Sequence, residues 1–232
     1  MKLKDYRKKR DFEVTPEPKG DGESQPSSGK SLAYVIQKHQ ASHLHYDFRL
    51  EWNGVLLSWA VPKGPSLDPS VKRLAMQVED HPVEYGGFEG GIPEGEYGGG
   101  TVMVWDRGTW TPEVPDVNAA LAKGDLKFTL NGAKLKGSWV LVRTRGFGGG
   151  GGRSSWLLIK HRDQFASTKD ITIEEPRSAL TGRLLAEIAQ EAGGNVEKAA
   201  AGDPADSKKA AKAAARAPRP ARPSSPKRLR AK

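Results

Sequence analysis

Eight short runs rich in β-branched, aromatic and aliphatic residues, separated by glycine and proline, constrain the fold of this 232-residue chain more than any other feature. They predict strands over residues 32–36, 44–52, 55–61, 74–78, 101–105, 126–130, 138–143 and 156–160. Short strands with turn signals at regular spacing are typical of an antiparallel sandwich or barrel. Asn53-Gly54 is a strong hairpin signal, and Asn131-Gly132 is a second candidate turn.

The charge distribution divides the chain into three parts. Residues 31–194 hold 18 Lys or Arg against 19 Asp or Glu, which makes this central part nearly neutral. Residues 1–30 hold 8 against 6, and residues 195–232 hold 11 against 3, so most of the net charge of +9 belongs to the C-terminal end. We therefore predict an extended N-terminal arm and linker (1–30), one folded domain (31–194) and a basic tail (195–232).

The tail consists mostly of Ala, Lys, Arg, Pro and Ser, which cannot bury enough surface to fold alone. It is predicted to be disordered and to tether DNA, because each cation can displace a counterion from the phosphate backbone without sequence preference. A solubilising tail is the alternative. The predicted tethering residues are Lys208, Lys209, Lys212, Lys227, Arg228 and Arg230.

Two further segments have recognisable patterns. Residues 178–192 carry an apolar stripe at helical spacing and end at Gly193-Gly194, which predicts a helix at the end of the folded domain. The run Gly148–Gly152 matches a G-x-G-x-x-G pattern trivially, but no strand-then-helix context supports a dinucleotide site. That run is interpreted as a mobile loop joining two strands.

Absent features exclude several classes of protein. The chain has no cysteine, so it has no disulfide, zinc-thiolate site or thiol nucleophile. The charged N-terminus lacks the apolar run of a secretory signal, and no stretch approaches the length of a membrane span. A soluble cytoplasmic protein is expected.

The segment H-L-H-Y-D-F-R alternates polar and apolar residues, as a strand with two different faces does. His43, His45, Asp47 and Arg49 share one face. Two imidazoles and a carboxylate suit Mn²⁺, Fe²⁺ or Zn²⁺, and an arginine beside them could hold a phosphate with two parallel hydrogen bonds. Spacing alone leaves two alternatives, a merely solvated strand face and a mononuclear iron oxygenase.

Several longer blocks carry a family resemblance. From about residue 3 to residue 188 the sequence resembles the 3′-phosphoesterase domain of bacterial ATP-dependent DNA ligase D, and it looks most similar to free-standing versions of that domain. The blocks are Y-R-K-K-R-D-F, T-P-E-P, V-I-Q-K-H, L-H-Y-D-F-R-L-E, S-W-A-V-P-K-G-P-S, V-E-D-H-P-V-E-Y, G-F-E-G-G-I-P-E-G-E-Y-G and W-L-L-I-K-H. The resemblance implies a mainly β fold, a compact antiparallel β-barrel with short helices.

The resemblance also implies roles for individual residues. It makes His39, His45 and Asp47 the metal ligands, with Mn²⁺ as cofactor, and leaves His43 incidental, whereas spacing alone selects His43. It implies that Arg49 clamps the phosphate, and that His81, with Tyr85 beside it, contacts the transferring phosphate opposite the metal. Other substrate-side or supporting residues implied in the same way are Gln37, Lys63, Arg73, Glu79 and, in an arm folded back over the site, Arg10, Asp11 and Glu17.

The activity implied is removal of a terminal ribonucleoside and then of the remaining 3′-phosphate from DNA, leaving a 3′-hydroxyl for repair by non-homologous end joining. The catalytic set expected is His81, Arg49, Tyr85 and Glu79. Polymerase and ligase motifs are not expected in this chain, so sealing would depend on partners such as Ku and a separate ATP-dependent ligase or polymerase. A cytoplasmic, nucleoid-associated monomer is expected. The alternative from another class is a non-catalytic adaptor that binds DNA ends.

Overall fold

Nine β-strands form the body of the molecule in a computed structural model that describes residues 3–22, 32–144 and 154–205. The chain-order bounds of the strands are β1 Leu32–Gln40, β2 Leu44–Trp52, β3 Val55–Val61, β4 Arg73–Gln77, β5 Gly90–Ile92, β6 Gly100–Pro112, β7 Asp125–Gly132, β8 Lys136–Arg143 and β9 Ser155–Lys160. The helices are α1 Lys4–Lys8, α2 Val117–Lys123, α3 Ile171–Glu174, α4 Leu185–Glu191 and α5 Val196–Ala201, with a 3₁₀ helix over Val83–Gly87.

The sheet closes into a barrel because β1 pairs with both β2 and β6. The strand order is β1-β2-β3-β4-β9-β8-β7-β6, all antiparallel, and the additional β1–β6 pairing joins the two ends. Closure leaves no free edge around the eight strands. The ninth strand, β5, pairs with residues 100–102 of β6 outside this ring. The fold is therefore mainly β, as predicted.

The barrel interior is filled by large apolar side chains from alternate positions of each strand. On β2 the inward residues are Tyr46, Phe48 and Leu50, which pack in one cluster with Trp59 and Trp139. Because strand side chains alternate between faces, the same packing turns His45, Asp47 and Arg49 to the outer face of the wall. Packing in the barrel core thus fixes the direction in which these three polar side chains point.

All eight predicted strands correspond to the eight strands of the barrel. The Asn53-Gly54 hairpin is also confirmed, since both residues have positive φ (52° and 79°), as a type I′ turn between β2 and β3 requires. At the second predicted turn, Asn131 and Gly132 end β7, and the chain reverses just after them through a bond from the Gly132 N–H to the Leu135 carbonyl, 2.9 Å. Residues 148–152 lie outside the described ranges.

The helix predicted over residues 178–192 is shorter than expected. Helical backbone begins at Leu185, and the preceding residues form turns held by the Ser178 hydroxyl, which accepts from the N–H groups of Leu180 and Thr181, 3.0 Å each. Gly182 has φ 73°, a left-handed conformation that interrupts a helix, and Leu180 is 41% exposed instead of packed. The long-helix prediction was wrong because local serine and glycine turns outweigh the apolar spacing.

Folded structure continues beyond residue 194, where the tail was predicted to begin. Helix α5 packs against α4, and Ala199 and Asp203 are buried. The Asp203 carboxylate accepts from the N–H groups of Leu185 (3.2 Å) and Ala186 (3.0 Å) and lies 4.0 Å from the buried Lys38 ammonium. A disordered tail from residue 195 is therefore wrong for residues 195–205. The six predicted tethering cations, Lys208 to Arg230, lie outside the described residues.

Asp203→Ala is expected to lower the free energy of unfolding by about 2–4 kcal/mol, measured by chemical denaturation. The change removes the acceptor of two buried N–H groups and the carboxylate that lies beside the buried Lys38 ammonium. Asp116 provides a matched control, since it caps α2 through the Ala119 N–H (3.0 Å) but is exposed. Asp116→Ala should cost about 1 kcal/mol. Equal losses in the two variants would contradict a structural role for residues 195–205.

The N-terminal arm lies against the outside of the barrel. Tyr6 of α1 packs with Val35, Leu56, Tyr85 and Val104 in a second apolar cluster, separate from the barrel interior. The Tyr6 hydroxyl donates to the Pro18 carbonyl at 2.5 Å, which folds the arm back on itself. In residues 3–22, 32–144 and 154–205, we find no helix with the length and apolar character needed to span a membrane.

Candidate active site

Polar side chains on the outer wall of β1 and β2 line a cleft of about 480 Å³. The register of β1, β2 and β3 brings polar residues of neighbouring strands together: His39 pairs with His45, Gln37 with Asp47, and Arg49 with Ser58. The roof of the cleft comes from the arm and from residues 79–98. The site is therefore on the convex face of the barrel wall and not in the barrel interior.

His39, His45 and Asp47 form a compact group of ligand atoms. All of these atoms lie within 4.8 Å of one another, and this is the one such His/Asp/Glu group found within the described ranges. The Asp47 carboxylate is 3.8 Å from His39 Nδ1 through one oxygen and 3.8 Å from His45 Nε2 through the other. His43 is exposed, and only its carbonyl contacts the group.

Backbone carbonyls set the tautomers of both histidines. His39 Nε2 is 2.8 Å from the Gly98 carbonyl, and His45 Nδ1 is 3.0 Å from the His43 carbonyl. A carbonyl only accepts, so these nitrogens carry the protons. The unprotonated nitrogens, His39 Nδ1 and His45 Nε2, then face Asp47. This is the arrangement in which histidine binds a metal, one nitrogen ligating while the other donates to a carbonyl.

The charge state of the group also suits a cation. Burial opposes ionisation of Asp47, but the Arg49 guanidinium and the His39 and His45 rings outweigh burial and hold the pKa of this carboxyl well below its usual range. Burial lowers the pKa of His45, which favours the neutral imidazole. Two neutral imidazoles and one carboxylate are a donor set for Mn²⁺, Fe²⁺ or Zn²⁺, so the residues present fit a divalent metal ion.

Arg49 is buried and makes hydrogen bonds in several directions. Its Nε donates to Gln37 Oε1 (2.8 Å), Nη1 donates to the Ser58 hydroxyl (2.8 Å) and lies 2.9 Å from His81 Nδ1, and Nη2 donates to Asp47 (3.0 Å). Gln37, Ser58 and Asp47 are thus acceptors for Nε, Nη1 and Nη2 respectively. The two parallel bonds from Arg49 to a phosphate stay a prediction.

His81 lies between two guanidinium groups. Its Nε2 is 3.2 Å from Arg10 Nη2, and its Nδ1 is 2.9 Å from both Arg49 Nη1 and the Glu79 carbonyl. Burial, followed by the charges of Arg49 and Arg10, lowers the pKa of His81 well below its ordinary value. The lowered pKa favours the neutral ring. An anion entering the cleft would offset the two cations.

The arm contributes Arg10 to the lining of the cleft. Arg10 donates through Nε to Glu17 (2.9 Å) and through Nη1 to the Tyr6 carbonyl (3.1 Å), and its guanidinium stacks 3.9 Å from the Tyr6 ring centroid. Glu17 is buried and also accepts from Thr15 at 2.8 Å. Asp11 differs from the expectation, since it is exposed and accepts from the Glu13 N–H in a local turn.

Three predicted supporting residues have clear positions. Gln37 holds Arg49 and donates to the carbonyls of Tyr85 (2.9 Å) and Phe88 (3.0 Å), so it orients the arginine and not a metal ligand. Glu79 accepts from Lys9 (2.9 Å) and lies 3.5 Å from Arg10, which ties it to the arm. Tyr85 is buried, with its ring 4.8 Å from the His81 ring and 5.0 Å from the Arg49 guanidinium.

Two predicted cations lie away from this group. Lys63 is exposed and Arg73 is half-buried on β4, and neither lines the cleft. Sequence reasoning also missed residues that the structure brings in: Ser58, Lys9, Tyr97 and the Gly98 carbonyl. Ser58 follows the β3 alternation and could have been found by pairing β3 with β2, whereas no sequence pattern connects Lys9 or residues 97–98 with the strands.

Most of the chain is similar in sequence to known proteins. The family model described as the DNA Ligase D 3′-phosphoesterase domain matches residues 37–143. The multifunctional non-homologous end joining protein LigD of Pseudomonas aeruginosa is 54% identical over 186 residues, which is 79% of this chain and 22% of that protein. The corresponding DNA repair protein LigD of Mycobacterium tuberculosis is 46% identical over 163 residues, 70% of this chain and 20% of that protein. The chain therefore aligns with about a fifth of the length of these relatives.

Proposed function

Through residues 37–143 this chain belongs to the family of DNA Ligase D 3′-phosphoesterase domains, and we propose that it is a metal-dependent phosphoesterase acting on DNA 3′ ends. The proposed substrates are ends that carry a terminal ribonucleotide or a 3′-phosphate, and the proposed product is a 3′-hydroxyl. The relatives are named for non-homologous end joining, which makes that repair process the proposed setting.

One observation carries the proposal. The lone pairs of His39 and His45 and the Asp47 carboxylate converge within 4.8 Å, in the same cleft as Arg49, Arg10 and His81. A ligand set for a divalent cation beside two guanidinium groups and an imidazole suits a phosphate ester, whose charge must be stabilised on non-bridging oxygens during transfer. A surface that only binds DNA would not need tautomers set for metal ligation.

His39 Nδ1, His45 Nε2 and Asp47 would hold the ion, and Mn²⁺ is the metal that we propose. A divalent ion bound there supplies a Lewis acid that polarises the phosphoryl group. Asp47 has a second role, because it accepts from Arg49 and fixes the plane of that guanidinium. The Asp47 carboxylate therefore contacts both the proposed metal position and the arginine proposed to bind the phosphate.

Arg49 and Arg10 provide positive charge on the other side of the phosphate. Arg49 Nη1 and Arg10 Nη2 flank His81, so an anion bound beside them would contact all three groups. Arg10 Nη2 can only donate, so His81 Nε2 is the acceptor, and Nδ1 carries the proton that it donates to the Glu79 carbonyl at 2.9 Å. A neutral His81 can thus accept a proton from an attacking water, and its protonated form can then donate to the leaving oxygen.

Partners and setting follow from this activity. A 3′-hydroxyl end is what a polymerase extends or a ligase seals, so we propose that such an enzyme, with Ku at the broken end, uses the product. We propose a monomer that works in the cytoplasm at the nucleoid, with the basic residues beyond 205 adding to DNA affinity.

The proposed function is tested with a labelled DNA primer-template that ends in one 3′ ribonucleotide. With Mn²⁺, the wild-type protein is expected to convert this end first to a 3′-phosphate and then to a 3′-hydroxyl, resolved on a sequencing gel. EDTA should stop both steps, because the ligand set of His39, His45 and Asp47 needs its ion.

The control for the same assay is an end that already carries a 3′-hydroxyl, which should remain unchanged. Binding of the primer-template without cleavage in Mn²⁺, Zn²⁺, Co²⁺ or Mg²⁺ would contradict the phosphoesterase proposal and favour a non-catalytic adaptor that binds DNA ends.

A further inference from the structure

Tyr97 differs from the other tyrosines of the chain. All five tyrosines lie in the described ranges; Tyr6, Tyr34, Tyr46 and Tyr85 are buried, whereas the Tyr97 ring is 41% exposed. The tryptophans that could otherwise stack on a base, such as Trp59, Trp105 and Trp156, are buried in the barrel core. Tyr97 also lines the cleft that contains the metal ligands. An aromatic ring open to solvent at the edge of that cleft is available for contact with a ligand.

The loop around Tyr97 fixes the position of the ring. Two turns close this loop, with bonds from the Glu96 N–H to the Pro93 carbonyl (3.2 Å) and from the Gly99 N–H to the Glu96 carbonyl (2.9 Å). Lys9 holds the ring from the arm side, since its ammonium is 3.3 Å from the Tyr97 hydroxyl and 4.7 Å from the ring centroid. The ring is therefore oriented before any ligand binds.

The position of the ring relative to the metal site follows from the next residue. The Gly98 carbonyl is the group that accepts from His39 Nε2 at 2.8 Å, so Tyr97 is one peptide away from a contact to a metal ligand. On its other side the Arg10 guanidinium, which contacts His81, is 5.6 Å from the ring centroid. The ring thus lies between a backbone contact of the metal-ligand group and the guanidinium that contacts His81.

We propose that Tyr97 is the stacking surface for the base of the terminal nucleoside, an inference that rests on the proposed function. Every base has a π-face, so a tyrosine ring binds any of the four bases without hydrogen-bond readout. Stacking acts equally on the bound substrate and on the transition state, so it contributes to KM and not to kcat. The site recognises a 3′-terminal nucleoside of any base.

The test compares two DNA primer-templates, one ending in a 3′ adenosine ribonucleotide and the other in an abasic ribose, with the full-length protein and Mn²⁺. Tyr97→Ala is expected to raise KM for the adenosine end about 10-fold with kcat nearly unchanged, and to leave KM for the abasic end unchanged. Tyr97→Phe should recover most of the lost KM effect, because it keeps the ring and its contact with the Lys9 ammonium and loses only the hydroxyl contact. Phe165→Ala is the matched control, since Phe165 is 39% exposed and does not line the cleft.

Two results would overturn the assignment. Equal KM values for Tyr97→Ala and wild type on the adenosine end would show that the ring does not contact the base, and equal losses on both ends would show that it acts on the arm instead. The dissociation constants of the same two ends in EDTA, where no turnover is expected, separate this inference from the proposed function. A wild-type preference for the adenosine end that Tyr97→Ala removes would support stacking even if no metal gave cleavage.

Discussion

His45→Ala is expected to reduce turnover of a 3′-ribonucleotide DNA end by about 100-fold or more and to weaken Mn²⁺ binding in parallel. Replacing a residue that merely orients a metal ligand commonly costs about 10–100-fold, so removing a ligand should cost at least the upper value. His45 Nε2 is one of only three ligand atoms in the group, and Asp47 and His39 offer no substitute. Isothermal titration with Mn²⁺ and the gel assay measure the two effects separately.

His43→Ala is the matched control for this prediction. His43 is two residues away and is exposed in the lining of the cleft, and its hydrogen bond to the metal-ligand group comes from a backbone carbonyl that alanine keeps. The variant should retain turnover and Mn²⁺ affinity within about threefold, the context-dependent scatter of surface substitutions. A large loss in His43→Ala with little loss in His45→Ala would show that the ligand set is the one selected by strand spacing and not the one in the structure.

This pair of histidines illustrates what spacing can and cannot predict. The alternation from residue 43 to residue 49 correctly predicted a strand with a polar face. It could not identify His39, because His39 belongs to β1 and meets His45 only through the antiparallel register of the two strands. Register depends on non-local pairing, which the period of a single strand does not contain. The family resemblance identified His39; no pattern within residues 43–49 did.

Local sequence patterns predicted the strands of the barrel, whereas the way in which the strands pair depends on non-local contacts. Glycine and proline punctuation together with apolar runs predicted the eight barrel strands, because turn chemistry and strand alternation are local. Closure by the β1–β6 pairing and the three-residue strand β5 depend on contacts across the molecule, and the runs themselves left sandwich and barrel equally open. At residues 178–184 even a local prediction was wrong, since Ser178 and Gly182 favour turns over the helix that apolar spacing indicated.

The arm and the end of the domain were predictable only in part. The charge pattern predicted an N-terminal arm over residues 1–30, but the contacts of Arg10 with Glu17 and His81 depend on the fold of residues 3–22 over the wall. Composition placed residues 195–205 in the tail, because alanine-rich sequence with little apolar bulk resembles disorder. In the structure these residues are folded, because Asp203 accepts from the first turn of α4 and lies beside the Lys38 ammonium. Amino-acid composition contains no information about such specific contacts.

Arg49→Lys is expected to lower kcat by about 100- to 1,000-fold, as much as Arg49→Ala, although lysine keeps the positive charge. Arg49 donates simultaneously to Gln37, Ser58 and Asp47, in directions that only a planar guanidinium provides. A lysine ammonium is a point charge on a flexible stem and cannot replace this set of bonds. Single-turnover measurement of 3′-end cleavage at saturating Mn²⁺ gives the change in the chemical step directly.

Two measurements distinguish a loss of phosphate stabilisation from a damaged fold or metal site. Mn²⁺ affinity in Arg49→Lys should stay within about 10-fold of wild type, since His39, His45 and Asp47 are intact and the ammonium still offsets part of the Asp47 charge. Arg107→Lys is the control, because Arg107 is also on a barrel strand but is exposed and does not line the cleft; its kcat should be unchanged. If Arg49→Lys keeps kcat near that of wild type, positive charge alone is sufficient at this position. The hydrogen bonds of the guanidinium to Gln37, Ser58 and Asp47 would then contribute little to catalysis.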